Sequence, residues 1–506
     1  MSSMRTVAAP RLLKLWSMFF AYACIASLLL QLVVIPYGFK TSHGGHGLIH
    51  AGGDALQYHT IASQVTDKIH QHGWSAWQLF PGKVSPKSPP LVPYPLEKTR
   101  RGQAPAGIAS AVYAMTYSEP WILIPIHAAL HALAALMLLL IVERFLPNRR
   151  SALLCVLPFF LYPSVLSWYG QIYREPYTNA GNLVFLWGFI VLVAPHRDSR
   201  SKVQASVAIV GIALSAVVVT VMRAYEEPIL RGFACAFVGI GVIYWACRWI
   251  ARECDARRFA STAATLLTAL AVTLSTLTAV TVITRRTHPE NVVVEPADLA
   301  EELAIVNALK FPWQTTRFVP NVIDRRFAEI AAAREKFLHV IRTAEIHPAT
   351  AIDEEIVFRK ASDVIAYVPR ALQQALFSPF PTQWLPGKWT AAKSESSRWM
   401  RRGAAFETAC NYLALLFLPL SIWFWRKRIE LWMLMFFCMS MLLLEGLVIA
   451  NTGTLFRHRF PYVMTLVAIG SAGFFTLLQQ YKRAQVAPSD RRALDSVWSF
   501  FRGYNA

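Results

Sequence analysis

"WILIPIHAALHALAALMLLLIVERFLPNRR", residues 121–150, decides the class of protein. Its first 22 residues contain no Asp, Glu, Lys or Arg, and about 20 apolar residues are enough for a helix to cross the hydrocarbon core of a bilayer. Arg149 and Arg150 follow the run, and positive charge beside a span marks the cytoplasmic side. The stretch therefore predicts a transmembrane helix whose carboxyl end lies in the cytoplasm.

Similar apolar runs recur along the 506-residue chain, in which 55% of the residues are apolar and the mean hydropathy is +0.37. The predicted spans are 15–36, 120–143, 151–169, 177–195, 203–222, 229–250, 260–284, 407–425, 430–450 and 460–480. The predicted fold class is therefore an all-α polytopic membrane protein with about ten transmembrane helices.

Basic residues fall in every second connection, which predicts that both termini are cytoplasmic. The first run is interpreted as an uncleaved anchor, because its removal would break this alternation. Four regions follow: a transmembrane module of about seven spans with the first external loop (1–284), an external loop domain (285–406), C-terminal transmembrane helices (407–480) and a cytoplasmic tail (481–506).

The formal charge of +20 is explained by topology and by contact with anionic membrane lipids, so nucleic acid is not a predicted partner. The cysteines all fall in predicted spans or cytoplasmic connections, and no pair has metal-ligand spacing. The external loops are therefore predicted to contain no internal disulfide.

The first external loop opens with "GGDALQYHTIA", residues 52–62. It predicts a helix near the membrane surface, and one stripe of that helix carries Tyr58, Ile61, Ala62, Val65 and Ile69. Asp54 stands at the helix start, where a carboxylate is favoured either as a cap or as a functional group. Further helices are predicted at about 105–117, at 298–310 and 324–346, and at the start of 367–386, the last resting on lipid.

Three short external connections carry ionisable residues: "WYGQIYREPYT" at 168–178, "VMRAYEEPIL" at 221–230 and "NTGTLFRHRFPY" at 451–462. Charged groups at span ends are costly unless they snorkel to the interface or pair, and they often mark a site. Each group could be an interfacial anchor. These three connections and the start of the first external loop together carry several carboxylates and arginines, which favours one cluster at the external ends of the spans.

Such a cluster suits the attack of a hydroxyl on a sugar that is carried by a lipid phosphate. A carboxylate removes the proton of the acceptor, and arginines neutralise the departing phosphate, because their planar fork matches phosphate oxygens. A lipid-linked donor also explains why the site would lie among transmembrane helices.

The segments "GGDALQYHTIA", "GQIYREPY" and "RHRFPY" resemble the polyprenyl-phosphate-dependent GT-C glycosyltransferases, which include protein O-mannosyltransferases and aminoarabinose transferases of lipid A. The resemblance implies a GT-C-like fold with Asp54 as the catalytic base and Glu175 as the supporting carboxylate. It also implies a polyprenyl-phosphate sugar donor, a glycan, lipid or protein acceptor of the cell envelope, and the inner (plasma) membrane of a bacterium. Ala55 stands where a second acidic residue is usual, and Glu175 stands where Asp is common.

The predicted substrate-binding residues are Tyr58, His59, Arg174, Arg223, Glu226, Arg457, His458 and Arg459. No residue is predicted as a dedicated metal ligand and no cofactor is certain, but a divalent cation between Asp54 and Glu175 stays an alternative. The histidines around the first loop, His43, His46, His50 and His59, have loose spacing typical of a polar loop. Two other functions stay open, a polymerase or ligase of lipid-linked polysaccharide and a transporter of lipid-linked oligosaccharide.

Overall fold

The computed structural model describes residues 9–38, 46–49, 54–81, 104–146, 148–195, 201–287, 313–342, 350–384 and 395–486. Their α-helices are, in chain order, α1 Ala9–Leu29, α2 Ile35–Gly38, α3 Asp54–His72, α4 Ala104–Met115, α5 Ile124–Val142, α6 Arg149–Leu161, α7 Pro163–Tyr169, α8 Glu175–Val193, α9 Ser201–Met222, α10 Glu227–Ile250, α11 Ala256–Thr287, α12 Asn321–Arg342, α13 Ala361–Phe377, α14 Glu395–Leu415, α15 Leu418–Trp425, α16 Ile429–Val448, α17 Thr452–His458 and α18 Phe460–Val486. A π-helical turn, Leu30–Val34, joins α1 to α2.

Nine helical segments among the described residues are long and apolar enough to cross a membrane, and the bent pair α6 and α7 would add a tenth. The prediction of an all-α polytopic membrane protein is confirmed for this part of the chain. The bent pair covers the predicted span 151–169, and its two helices meet at an angle of 57°. Pro163 explains the break, because a proline disfavours helical backbone at the residue before it, and Tyr162 is indeed extended.

Helix α8 lies at the centre of the bundle, where 17 of its 19 residues are buried. It packs between α5 and α9. Two glycines allow the close approach to α9, since a Cβ atom at Gly181 would lie 2.5 Å from Val219 and one at Gly188 would lie 2.6 Å from Ile212. The first residue of α8 is Glu175, so the central helix presents a carboxylate at one end of the bundle.

Helices α3 and α4 form a packed pair at the predicted external end. The apolar stripe predicted for the first loop is buried: Tyr58, Ile61, Ala62, Val65 and Ile69. These side chains form one cluster with residues of α4, including Ala106, Ala109 and Tyr113. The prediction of two helices is confirmed, but the stripe faces protein, because α4 covers the surface that the sequence assigned to the membrane interface.

The long loop contributes α12 and α13, and the helix predicted at 298–310 lies outside the described residues. The apolar face of α13 packs against α16 and α12 instead of resting on lipid. Gly446 in α16 makes this contact feasible, since a Cβ atom there would lie 2.3 Å from the carbonyl oxygen of Ala371. The loop segment is therefore anchored on a candidate transmembrane helix.

A single antiparallel bridge joins the long loop to the residue that precedes α17. Ala351 and Asn451 form an antiparallel bridge, and the backbone N–H of Thr452 donates to the carbonyl oxygen of Thr350 at 2.8 Å. Asn451 also caps α17, because its Oδ1 accepts hydrogen bonds from Gly453 and Thr454 N–H groups at 2.9 and 3.0 Å. The cap and the bridge fix the orientation of α17, which carries Arg457 and His458 in its last turn.

Candidate active site

Four segments that are distant in sequence meet at one end of the bundle. Asp54 is the first residue of α3, Glu175 is the first residue of α8, and Arg223 precedes the turn that leads into α10. Arg457 reaches them from the last turn of α17. The structure therefore brings together residues from the first external loop and from each of the three short external connections identified in the sequence.

Arg457 contacts both predicted catalytic carboxylates. Its Nη2 lies 3.3 Å from Asp54 Oδ2 and its Nε lies 3.2 Å from Glu175 Oε1. The guanidinium carbon lies 4.4 Å from the ring centroid of Tyr173. Burial alone would lower the pKa of Arg457, but the nearby Glu175, Tyr173 and Asp54 raise it above its ordinary value, so the group stays charged. The expected proximity of Asp54 and Glu175 is confirmed, and their catalytic roles stay predictions.

The two carboxylates differ sharply in exposure. The side chain of Asp54 is 58% exposed, whereas that of Glu175 is 4% exposed. Arg223 also binds Glu175, with 3.4 Å between Nη2 and Oε1. A buried carboxylate between two arginines is well placed to hold them in position. The exposed carboxylate is accessible to a ligand from solvent.

His458 lies beside Glu175, with 3.7 Å between Nε2 and Oε1. Burial, followed by the positive charges of Arg223, Arg457 and Arg174, lowers the pKa of His458 well below its ordinary value. The imidazole is therefore neutral at neutral pH, and its contact with Glu175 is not an ion pair. His458 can take part in hydrogen bonding without adding positive charge to the cluster.

A polar chain continues from the cluster into the bundle. Arg223 donates from Nη1 to Glu226 Oε1 at 2.9 Å. Asn182 of α8 donates to Glu226 Oε2 at 3.2 Å and to the hydroxyl oxygen of Tyr462 at 2.9 Å. Glu226 is buried, so its predicted substrate contact would have to act through Arg223, which stands between it and Glu175.

Arg174 has one side-chain donor that lacks an acceptor in the described part of the chain. Its Nε atom is buried and has no hydrogen-bond partner among the described residues. Its guanidinium carbon lies 5.7 Å from the ring centroid of Tyr58. Among the described residues, no carboxylate oxygen lies within 4.0 Å of a side-chain nitrogen of Arg174. A buried donor without an acceptor is unfavourable, so this position favours an anionic ligand.

His59 has its partners between α3 and α4. Its Nδ1 lies 3.0 Å from the hydroxyl oxygen of Tyr113, and its ring packs at 4.7 Å from the ring of His46. Burial and the nearby His46 lower the pKa of His59 to about 4. The imidazole is therefore neutral near pH 7 and joins the two helices, while its predicted contact with a substrate stays a prediction.

Arg459 differs from the sequence-based expectation that it binds phosphate beside Arg457. Its Nη1 donates to the carbonyl oxygens of Gln374 and Ala375 at 3.2 and 2.5 Å, and its Nη2 donates to that of Ser378. These acceptors belong to the carboxyl end of α13, where a positive charge is also favoured by the helix dipole. The guanidinium is buried and its hydrogen bonds are taken by these carbonyl groups, so Arg459 has a structural role in this arrangement.

Two residues at the cluster were not predicted from the sequence. Tyr173 stacks on Arg457 in the connection that supplied Arg174 and Glu175. Glu445 is an acidic residue inside the apolar run "MLLLEGLVIA" at 441–450, and its Oε2 is buried without a hydrogen-bond partner among the described residues. A lone acidic residue within a span was the available signal.

No group of three or more His, Cys, Asp or Glu side chains in the described ranges is arranged to hold a metal ion. His43 and His50 lie outside those ranges. The guanidinium of Arg457 contacts both Asp54 and Glu175, so it occupies the position that a cation shared by these carboxylates would need.

No protein-family model, curated protein or solved structure matches the chain.

The site combines an exposed carboxylate, a buried carboxylate and three buried or partly buried arginines at one end of a helical bundle. An exposed base beside fixed guanidinium groups can deprotonate a hydroxyl while neutralising a phosphate.

Proposed function

We propose that the protein is an integral membrane glycosyltransferase of GT-C-like fold, which moves a sugar from a polyprenyl-phosphate donor to a cell-envelope acceptor on the external face of a bacterial inner membrane. The observation that carries the proposal is the contact of Arg457 with both carboxylates, next to the unused donor of Arg174. A base and a phosphate clamp are the two groups that this transfer needs.

The proposed reaction starts with an acceptor hydroxyl hydrogen-bonded to Asp54. The hydroxyl oxygen attacks the anomeric carbon of the sugar, a new C–O bond forms, and the bond between that carbon and the phosphate oxygen breaks. Asp54 takes the hydroxyl proton, and polyprenyl phosphate leaves with the bonding electron pair. Arg174 and Arg457 neutralise the charge that develops on the departing phosphate.

Glu175 has a positioning role in this proposal. It holds Arg457 and Arg223 through contacts of 3.2 and 3.4 Å, while its own side chain is shielded from solvent. A fixed guanidinium contributes more to a transition state than a mobile one, because little reorganisation is needed during the reaction. The prenyl tail of the donor would remain among lipid next to the bundle, and the sugar would lie at the polar end.

The change Asp54→Asn tests the proposal. The amide keeps the size of the side chain but cannot take the proton, and loss of a general base lowers the rate by about 10²- to 10⁴-fold. The measurement is sugar transfer by the purified full-length protein with a panel of polyprenyl-phosphate sugars and a cell-envelope extract as acceptor. Asp67→Asn is the matched control, because Asp67 is an exposed carboxylate on the same helix. Equal rates for the two variants would refute the role of Asp54.

A further inference from the structure

A second polar cluster lies at the other end of the bundle, which the sequence predicts to be cytoplasmic. A cavity of about 200 Å³ opens there, between the end of α5, the end of α8, the α10–α11 turn and the start of α16. Its ionisable lining residues are Arg144, Arg248, Arg258, Arg428 and Glu430, together with the phenol of Tyr244. The cavity would admit several water molecules, since a single one needs only about 10–15 Å³.

Two of the arginines share one carboxylate. Arg428 Nη2 lies 2.9 Å from Glu430 Oε1, and Arg144 Nη1 lies 3.9 Å from the same oxygen. Arg144 also donates from Nη1 to the carbonyl oxygen of Ala194 at 2.8 Å. Burial, and the neighbouring Arg428, lower the pKa of Arg144 to about 10 against the opposite effect of Glu430. One carboxylate thus leaves this pair with excess positive charge.

The other two arginines lie against Trp245. The guanidinium carbons of Arg248 and Arg258 are each 5.1 Å from the centroid of its ring. The indole itself is fixed, because its Nε1 donates to the carbonyl oxygen of Val193 at 2.8 Å. Arg248 pairs with Glu253, whose side chain is 59% exposed. In the described part of the chain, no carboxylate oxygen lies within 4.0 Å of a side-chain nitrogen of Arg258.

Four guanidinium groups therefore line a water-accessible cavity, and only two carboxylates among the described residues, Glu430 and Glu253, pair with them. Topology alone explains why basic residues occur at this end. It does not explain why arginines from four separate segments converge on one cavity. Like charges held this close repel each other, and an anion in the cavity would relieve the repulsion.

We propose that this cavity binds the phosphate group of an anionic ligand, either the phosphodiester of an anionic phospholipid or a free phosphate. The guanidinium fork matches the oxygens of phosphate with paired hydrogen bonds. Basic pockets between transmembrane helices on the cytoplasmic side are known to take anionic lipid headgroups. The site is distinct from the cluster around Asp54 and does not depend on glycosyl transfer.

Thermal unfolding of the full-length protein in a neutral detergent tests the proposal. The midpoint is measured during titration with phosphatidylglycerol, with zwitterionic phosphatidylcholine and with inorganic phosphate at constant ionic strength. A ligand that binds only the folded state raises the midpoint. Stabilisation by phosphatidylglycerol alone identifies a lipid headgroup site, whereas stabilisation by inorganic phosphate identifies a free-phosphate site.

The change Arg258→Gln should weaken the apparent affinity for that probe by about tenfold, because one charged hydrogen-bond donor is lost. Arg257→Gln is the matched control, since Arg257 is exposed, adjacent in sequence and absent from the cavity lining. Arg248→Gln gives a second variant with the same expected loss. The proposal is overturned if neither phosphate source raises the midpoint, or if Arg258→Gln and Arg248→Gln both respond to the probe like the parent.

Discussion

Replacing Arg459 by Lys separates a structural role from a phosphate-binding role. In the parent chain the guanidinium donates to the carbonyl oxygens of Gln374, Ala375 and Ser378. The ammonium group of Lys is a compact point charge and does not reproduce the planar fork that spans several acceptors. We expect Lys to keep one of the three acceptors and to leave the others without a donor.

The magnitude follows from the two lost hydrogen bonds. Each bond to a charged group contributes about 1.5–3 kcal/mol, and local relaxation returns part of that loss, so a decrease of about 3 kcal/mol in stability is expected. Domains of about 150–250 residues lose about 2–4 °C in midpoint per kcal/mol. For this longer chain we expect a decrease of about 5 °C in the unfolding midpoint.

The assay pairs thermal unfolding with binding of a polyprenyl phosphate, measured well below the midpoint. Arg457→Lys is the matched variant two residues away. We expect Arg459→Lys to lower the midpoint and to keep donor affinity within about twofold, because the side chain of Arg459 binds carbonyl oxygens of α13. Arg457→Lys should weaken binding by about tenfold, since the ammonium group does not reproduce the paired hydrogen bonds that the guanidinium is proposed to make with phosphate. A parental midpoint with weakened binding in Arg459→Lys would refute the structural role.

Three further predictions follow. Glu175→Gln leaves Arg457 without its buried counter-charge, so sugar transfer should be lost and the unfolding midpoint should fall, as breaking a buried pair costs about 3–5 kcal/mol; parental values in both assays would contradict this. Because the pKa of His59 is about 4 when folded and near 6.5 when unfolded, the unfolded state binds the proton more readily, and stability should fall between about pH 6.5 and pH 4. His59→Gln should flatten that part of the midpoint–pH curve, and an unchanged slope would exclude His59 as its cause. Gly446→Val should displace α13 through a clash with Ala371 and speed proteolysis of residues 350–384, whereas a parental digestion rate would show that the contact is dispensable.

Sequence periodicity predicted most of the helices because the membrane imposes a length on each of them. The predicted spans match the candidate spans, including the pair broken at Pro163, since a run of about 20 apolar residues is a strong signal by itself. The partners of an amphipathic face are not encoded in this way. The stripe on α3 and the apolar face of α13 were both assigned to the membrane, because a sequence shows that a face is apolar and does not show what covers it.

The candidate site was predictable to the level of its segments. Charged residues in short connections must stay near the ends of the spans, so the proximity of Glu175 to Asp54 followed from topology. The pairing within the cluster did not follow. Arg223 is occupied by Glu226 and Glu175, whereas the Nε of Arg174 has no hydrogen-bond partner in the described ranges, a difference that depends on side-chain positions in three dimensions.

The segment "RHR" at 457–459 shows why adjacent arginines acquire different roles. Both lie in helical backbone at the end of α17, where two residues correspond to a rotation of about 200°. Arg457 therefore faces the carboxylates, and Arg459 faces the opposite side, where α13 ends. The same short helix is fixed at its start by the bridge between Ala351 and Asn451. Residues 350–384 of the long loop thus contact α17 at both ends, and these contacts hold Arg457 against the two carboxylates. The position of Arg457 in the site therefore depends on a segment that contributes no predicted catalytic residue.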